Sequence, residues 1–190
     1  KMAKPKEPFQ YYFQHANTFQ EARNYLVNER KISPVLVDTL HKKGFIQQDK
    51  YNQCVFVWSD TGKAVGASII GSEYNPEKYG KRGRFKGIAR NSESNFGFNV
   101  TLGTPNRLYV FESPVDLLSY WTMNPQLKNC MLAEMEGLKE QSVYKFMNNM
   151  IVSKGATPYE GIYLGIDNDP AGQRFFDNLS KLSYTDKEGR

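Results

Sequence analysis

The spacing of hydrophobic residues changes twice along the chain, and each change predicts a different kind of structure. Before residue 45 the apolar positions follow a helical period. A capping box over residues 18–21, with Thr18 as cap and Glu21 reaching back, predicts the start of a first helix. Ser33-Pro34 predicts a second helix that ends at Gly44. Such a pair is either a plain packing unit or a helix-turn-helix reader of DNA.

From Cys54 the apolar period falls to two. Residues 54–58 and 65–70, joined by the turn at 59–62, predict a β-hairpin. Residues 96–100 predict one more strand, which closes the N-terminal region near residue 103.

From Arg107 strand-like and helix-like segments alternate. Strands are predicted at residues 108–111, 130–133 and 162–166, and each is followed by a helix; the last helix covers residues 171–182. This order predicts a parallel sheet with right-handed crossovers. The fold class is therefore α/β, with a C-terminal parallel sheet (105–190), a smaller N-terminal α+β subdomain (18–104) and a linker or arm at 1–17.

Acidic residues follow two of the predicted parallel strands. Asp167 and Asp169 end the third strand, just before Pro170, and Glu112 ends the first, with Asp116 four residues later. Asp169 is placed to cap the next helix, so the turn could be an ordinary helix start. Two carboxylates at that position also suit a hard divalent cation. Because strand ends of a parallel sheet share one edge, Glu112 is expected to lie beside this pair.

A basic segment lies upstream, at residues 74–90. Its six cations are set against a single acid, Glu77, and are interleaved with Tyr74, Tyr79 and Phe85. Flexible cations with flat rings suit a phosphate backbone and unstacked bases, although a charge run is also often a solvated loop. The predicted nucleic-acid contacts are Lys78, Lys81, Arg82, Arg84, Lys86 and Arg90.

Other parts of the composition narrow the class of protein. The two cysteines, Cys54 and Cys130, are far apart and the two histidines have no ligand spacing, which argues against a zinc site and a disulfide framework. No apolar run is long enough to span a membrane, and no signal peptide is visible. A reducing cytoplasm is the expected location. The residues before Pro8 are typical of a linker, which indicates a fragment.

The acidic and basic motifs together resemble a known family. The segments 108–116 (LYVFESPVD) and 163–172 (YLGIDNDPAG) are similar to the Toprim domain, which bacterial primases, type IA and II topoisomerases and OLD-type nucleases share. Residues 55–66 and 85–87 resemble the N-terminal subdomain of the bacterial primase core. Residues 18–182 as a whole resemble the DUF3991-plus-Toprim proteins of Gram-positive plasmids and integrative elements.

The resemblance implies a role for each acid. Glu112 would be the catalytic acid/base, and Asp167 and Asp169, supported by Asp116, would hold Mg²⁺ or Mn²⁺. Metal-dependent phosphoryl transfer is implied, most closely primase-like nucleotidyl transfer in plasmid or conjugative-element DNA replication. The partners would be a single-stranded DNA template, NTPs and other replication or conjugation proteins. No membrane partner is expected.

The chain also departs from the family pattern. Ser113 stands where a glycine often follows the family's glutamate, and a further acidic motif of primases is missing, so the Toprim domain is expected to be truncated at its C-terminus. Two alternatives stay open: a Toprim nuclease or strand-cleaving enzyme, and a non-catalytic module that binds DNA or a relaxosome partner.

Overall fold

A computed structural model describes residues 7–181 of the chain. Two short helices come first: α1 (Gln20–Asn24), which continues as a π-helical turn (Tyr25–Glu29), and α2 (Pro34–Lys42). The predicted capping box at Thr18 is wrong, because Phe19 is the N-cap and no side chain caps the helix there. Instead, the N–H of Ala22, which has no partner within the helix, donates to Oε1 of Gln48 at 2.8 Å. Gln48 belongs to the first strand. A long-range partner thus replaces the local cap.

The first sheet is antiparallel and contains the predicted hairpin. Its strands are β1 (Ile46–Gln48), β2 (Gln53–Asp60), β3 (Lys63–Gly71) and β4 (Lys86–Ile88), in that spatial order. Residues 72–85 join β3 to β4 and carry most of the basic segment, with a short helix α3 (Pro76–Tyr79) and a 3₁₀ turn (Gly80–Arg82); the rest of that segment forms β4 and the residues after it.

The second sheet contains the predicted alternating half. Its strands are β5 (Asn99–Leu102), β6 (Arg107–Phe111), β7 (Cys130–Glu134) and β8 (Ile162–Gly165). The three helices between and after them are α4 (Pro114–Met123), α5 (Glu140–Lys154) and α6 (Pro170–Ser180). The spatial order is β5-β7-β6-β8, and β6 pairs in parallel with both β7 and β8. The predicted α/β class with a parallel C-terminal sheet is confirmed.

The strand predicted at residues 96–100, which was expected to close the N-terminal region, forms slightly later, as β5 (Asn99–Leu102). It pairs antiparallel with β7, so it belongs to the second sheet. The apolar residues just before it explain the arrangement. Phe96 and Phe98 are buried, Phe98 packs edge-on against Phe56 of β2, and Phe96 stacks on Phe146 of α5. These rings bury the junction between the two sheets.

Residues 7–17 lie along the first sheet as an arm. Phe9 and Phe13 pack against a small buried cluster of Val55, Ala67 and Ala89. His15 forms an isolated bridge with Asp49. Residues 1–6 of the predicted linker lie outside the described part. Among the helices of residues 7–181, none is long and apolar enough to cross a membrane.

The second sheet brings three strand ends to one edge. β6 is central, and because β7 and β8 run parallel to it, the residues after all three strands emerge together. Glu112 follows β6, Glu136 follows β7, and Asp167 follows β8.

Candidate active site

Glu112 and Asp167 are joined directly. The backbone N–H of Asp167 donates to Oε1 of Glu112 at 2.9 Å, across 55 residues of sequence. The backbone carbonyl of Glu112 also accepts from the N–H of Gly137, at 2.9 Å, in the turn after β7. Glu112 is therefore fixed from both neighbouring strands, while the Asp167 carboxylate is exposed.

Gly172, in the first turn of α6, shapes the loop that carries Asp167. Gly172 is buried in the first turn of α6, and a Cβ added there would collide with the carbonyl oxygen of Asp167. Because Gly172 has no Cβ, the helix can approach the strand end closely, and the connection between strand and helix can be tight.

Asp116 lies in the first turn of α4, on the exposed side of the same strand end. Ser113 is the N-cap: its Oγ accepts from the N–H of Asp116 at 3.3 Å and donates to Oδ2 of Asp116 at 2.6 Å. Ser113 thus caps the helix and orients the Asp116 carboxylate.

Asp169 has a different role in the structure from Asp167. It is the N-cap of α6, and its Oδ1 accepts from the N–H groups of Ala171 and Gly172 at 2.9 and 2.8 Å. This is the ordinary helix-start role that its position also predicted. Its side chain does not line the cleft described next.

A cleft of about 890 Å³ is lined by three of the four predicted acidic residues and three of the six predicted cations. We call its acidic lining residues the acidic wall: Glu112, Asp116, Glu136 and Asp167. We call its basic lining residues the basic wall: Arg30, Arg82, Arg84 and Lys86. Tyr25 and Tyr74 line the cleft as well. The acidic wall is at the edge of the second sheet, and the basic wall comes from the first half of the chain.

Arg84 is built into the structure of the basic wall. Its side chain is only 11% exposed, and its guanidinium is bonded to Glu29 and to the carbonyl of Ser72. The same group lies 4.6 Å from the ring centroid of Tyr25 and 5.6 Å from that of Tyr74. These contacts tie the basic segment to the π-helical turn after α1.

The other predicted cations lie in three places. Arg82 and Lys86 are exposed and line the cleft. Lys78 and Lys81 are exposed on the same segment but do not line it, and the Lys78 ammonium lies over the ring of Tyr79. Arg90 lines a smaller, separate cleft with Glu7 and Tyr12 of the arm.

Two carboxylates at the end of β7, Glu134 in the strand and Glu136 in the turn after it, were not among the sequence predictions. Glu136 lines the cleft, and one of its oxygens is buried without a hydrogen-bond partner. Glu134 is fully buried; its burial, and then the nearby Glu136 carboxylate, raise its pKa well above the usual range for a glutamate. Both follow a predicted strand, which is the signal that indicated Glu112. Arg30 had no comparable signal.

No three acidic, histidine or cysteine side chains of residues 7–181 lie close enough together to form a metal site as they stand. The acidic wall nevertheless offers carboxylate oxygens that face one space. Mg²⁺ commonly binds through one or two carboxylates, with water and substrate phosphates completing its shell. The donor set therefore fits such an ion.

Comparisons with known proteins agree with this division of the chain. Residues 24–105 match a family described as protein of unknown function (DUF3991), and residues 109–188 match the Toprim-like family. The chain is a DUF3991–Toprim protein. The acidic wall belongs to its Toprim-like segment, and the basic wall to its DUF3991 segment.

A relative and a solved structure extend the comparison. The chain is 42% identical over 190 residues to the uncharacterized protein pXO2-78 of Bacillus anthracis. This alignment covers 96% of the chain and 54% of the relative. The chain thus spans about half the length of that relative. The primase fragment of the bacteriophage T7 primase-helicase protein superposes with a TM-score of 0.59 over 97% of this chain and 72% of that one, at 16% identity. The DUF3991–Toprim chain therefore has a primase-type fold.

Proposed function

We propose that the protein containing this chain catalyses metal-dependent phosphoryl transfer on nucleic acid, and specifically primase-like nucleotidyl transfer. One observation carries the proposal: carboxylates of the Toprim-like segment and cations of the DUF3991 segment line the same cleft. A cleft with one wall for a cation and one for phosphates suits a reaction between a nucleotide and a nucleic-acid strand. The primase-type fold and the Toprim-like match point to the same class of chemistry.

The metal would be Mg²⁺ or Mn²⁺, held by Asp167 with support from Asp116 and Asp169. The Asp167 carboxylate is exposed on the cleft. Asp116 has one oxygen bonded to Ser113, and Asp169 has one bonded to the start of α6, so each would contribute its second oxygen. When bound, such an ion neutralises phosphate charge and orients the reacting groups.

Glu112 is the proposed general base. Its Oε1 is bonded to the N–H of Asp167, which holds the carboxylate beside the proposed metal position. The second oxygen would accept the proton of an attacking 3′-hydroxyl. The central place of β6 in the sheet supports this role, because Glu112 then lies between the ends of β7 and β8.

The basic wall would hold the template strand. Arg82 and Lys86 would contact phosphates directly, while Arg84 would chiefly shape the segment that carries them. Lys78 and Lys81 would extend the basic surface outside the cleft, and Arg90 would contact DNA from the arm side. Tyr74 offers an exposed ring for base stacking.

The proposed substrates are NTPs and single-stranded DNA. The proposed setting is the replication or transfer of a plasmid or conjugative element, in the cytoplasm and alongside other replication or conjugation proteins. This setting follows from the resemblance to DUF3991-plus-Toprim proteins of mobile elements.

The test is incorporation of labelled NTPs by the full-length protein on single-stranded DNA with Mg²⁺ or Mn²⁺. We expect template-dependent products, and a loss of about 100-fold or more in Glu112→Gln, since a general base typically contributes 10²- to 10⁴-fold. Glu21→Gln removes an exposed carboxylate on α1 and serves as the matched control. Nicking of DNA without NTPs, or equal activity in Glu112→Gln, would contradict the proposal.

A further inference from the structure

Glu134 is a fully buried carboxylate at the junction of the two sheets. Three donors converge on it. The N–H of Phe98 and the hydroxyl of Ser68 donate to Oε2 at 2.9 and 3.2 Å, and the N–H of Glu136 donates to Oε1 at 2.7 Å. A buried carboxylate is costly unless its oxygens are bonded, so this set of partners indicates a built arrangement.

One side of the arrangement reaches into the first sheet. Ser68 belongs to β3, and its Oγ accepts from Nε1 of Trp58 on β2 at 2.7 Å. Trp58 is itself buried, with 1% of its surface exposed. Glu134 is therefore connected to a buried part of the DUF3991 segment.

The other side reaches Glu112. Oε1 of Glu134 holds the N–H of Glu136, and the next residue, Gly137, donates its N–H to the carbonyl of Glu112. Met135, in the same turn, donates to the carbonyl of Phe111 at 2.8 Å. The turn after β7 is thus bonded to Glu134 at one point and to the end of β6 at two.

The backbone of this turn needs such support. Glu136 has φ of +54°, a left-handed conformation that is uncommon for a residue with a side chain. The bond from its N–H to the Glu134 carboxylate holds it there. Gly97 permits the close approach of the neighbouring chain, because a Cβ at that position would collide with the carbonyl oxygen of Glu134.

We propose that Glu134 is a positioning residue for Glu112, which it holds in place through the turn Met135–Gly137 while linking it to the sheet of the basic half. Glu134 does not line the cleft, so it acts through its neighbours and not on a substrate. The consequence for catalysis rests on the function proposed above; the positioning itself does not.

The direct test is amide hydrogen exchange, measured by NMR on the labelled chain without any ligand. Glu134→Gln keeps the size of the side chain but replaces one acceptor oxygen by a donor NH₂, so one backbone N–H loses its partner. We expect the Gly137 and Asp167 amides to exchange at least about tenfold faster in this variant. Ser68→Ala is the milder variant and should give a smaller change in the same amides.

Asn99→Ala provides the matched control. Asn99 is also buried and also links the two halves, since its Nδ2 donates to the carbonyl of Ser59 at 3.1 Å, but it is not bonded to the turn after β7. Unchanged Gly137 and Asp167 exchange in Glu134→Gln would overturn the proposal. An equal acceleration in Asn99→Ala would overturn it too, because the effect would then be general loosening.

Activity of the full-length protein supplies a second readout. If Glu134 positions Glu112, Glu134→Gln should lower kcat about tenfold or more and leave KM for NTPs unchanged, whereas Asn99→Ala should change neither. A rise in KM with unchanged kcat would contradict the positioning role. An inactive wild type would refute the proposed function, while the exchange result would still decide the positioning of Glu112.

Discussion

The two walls of the cleft differ in what holds their residues in place. On the acidic wall, Glu112 and Asp167 follow adjacent parallel strands and are bonded to each other through the Asp167 N–H. On the basic wall, Arg82 and Arg84 lie on the connection between β3 and β4, and this connection is attached to the π-helical turn through one side chain, Arg84. Carboxylates placed by a sheet are set by backbone pairing, whereas cations on a connection are set by the side chains that anchor it. Substitutions on the two walls should therefore have different kinds of effect.

On the acidic wall, the largest effect on metal binding is expected at Asp167. In a Mn²⁺ titration of the chain by calorimetry, Asp167→Asn should weaken binding at least about tenfold, which corresponds to about 1.4 kcal/mol, because the exposed carboxylate is the main proposed ligand. Its folding stability should change little, since the bond to Glu112 uses the backbone N–H, which the variant keeps.

Asp177→Asn is the control for that titration. Asp177 is an exposed carboxylate on α6 outside the cleft, so its variant removes the same charge from the chain. Equal Mn²⁺ binding in wild type and Asp167→Asn would remove the proposed metal site from the acidic wall. Equal weakening in both variants would show a general charge effect.

The strand ends of the acidic wall were predictable because parallel strands must share an edge. Glu112 and Asp167 were placed together from sequence for this reason, and the structure bonds them. The same rule applied to the strand before Glu134 would have indicated Glu136, which lines the cleft as well. What no strand pattern could show is the φ of +54° at Glu136 and the long-range bonds of Glu134 to Ser68 and Phe98.

The basic wall was predictable only as a patch of charge. Composition identified residues 74–90 as basic and aromatic, but nothing in the spacing distinguishes Arg82 from Arg84. The structure separates them through partners distant in sequence, Glu29 and Tyr25, which bury the Arg84 guanidinium. The capping box at Thr18 failed for a similar reason, since Gln48 satisfies the helix start from another element. Local patterns cannot report such distant partners.

A matched pair of substitutions on the basic wall separates anchoring from binding. Arg84→Ala should destabilise the chain by roughly 2 to 4 kcal/mol, because it removes two charge-assisted hydrogen bonds of a largely buried guanidinium and its two ring contacts. Arg82→Ala should change stability by less than about 0.5 kcal/mol. Urea unfolding measures both values. An Arg84→Ala chain with wild-type stability would contradict the anchoring role.

The Arg82 side chain should matter for the binding of single-stranded DNA, although it contributes little to stability. Arg82→Ala should lower affinity and reduce the slope of log K against log salt by about one, as expected when one phosphate contact is lost. Fluorescence anisotropy over a salt series measures this slope. Lys63→Ala, an exposed cation at the turn between β2 and β3, should leave the slope unchanged.

A smaller loss of stability than that of Arg84→Ala is expected at Asp169, which lies two residues from Asp167 and is bonded to the helix start. Asp169→Ala should lower the free energy of unfolding by about 1 kcal/mol, because the N–H groups of Ala171 and Gly172 lose their acceptor. Asp169→Asn should cost much less, since asparagine caps helices about as well. If Asp169 also supports the metal through its second oxygen, Asp169→Asn should weaken Mn²⁺ binding while stability stays near that of the wild type. Wild-type Mn²⁺ binding in Asp169→Asn would restrict this residue to the cap and leave the metal to the acidic wall alone.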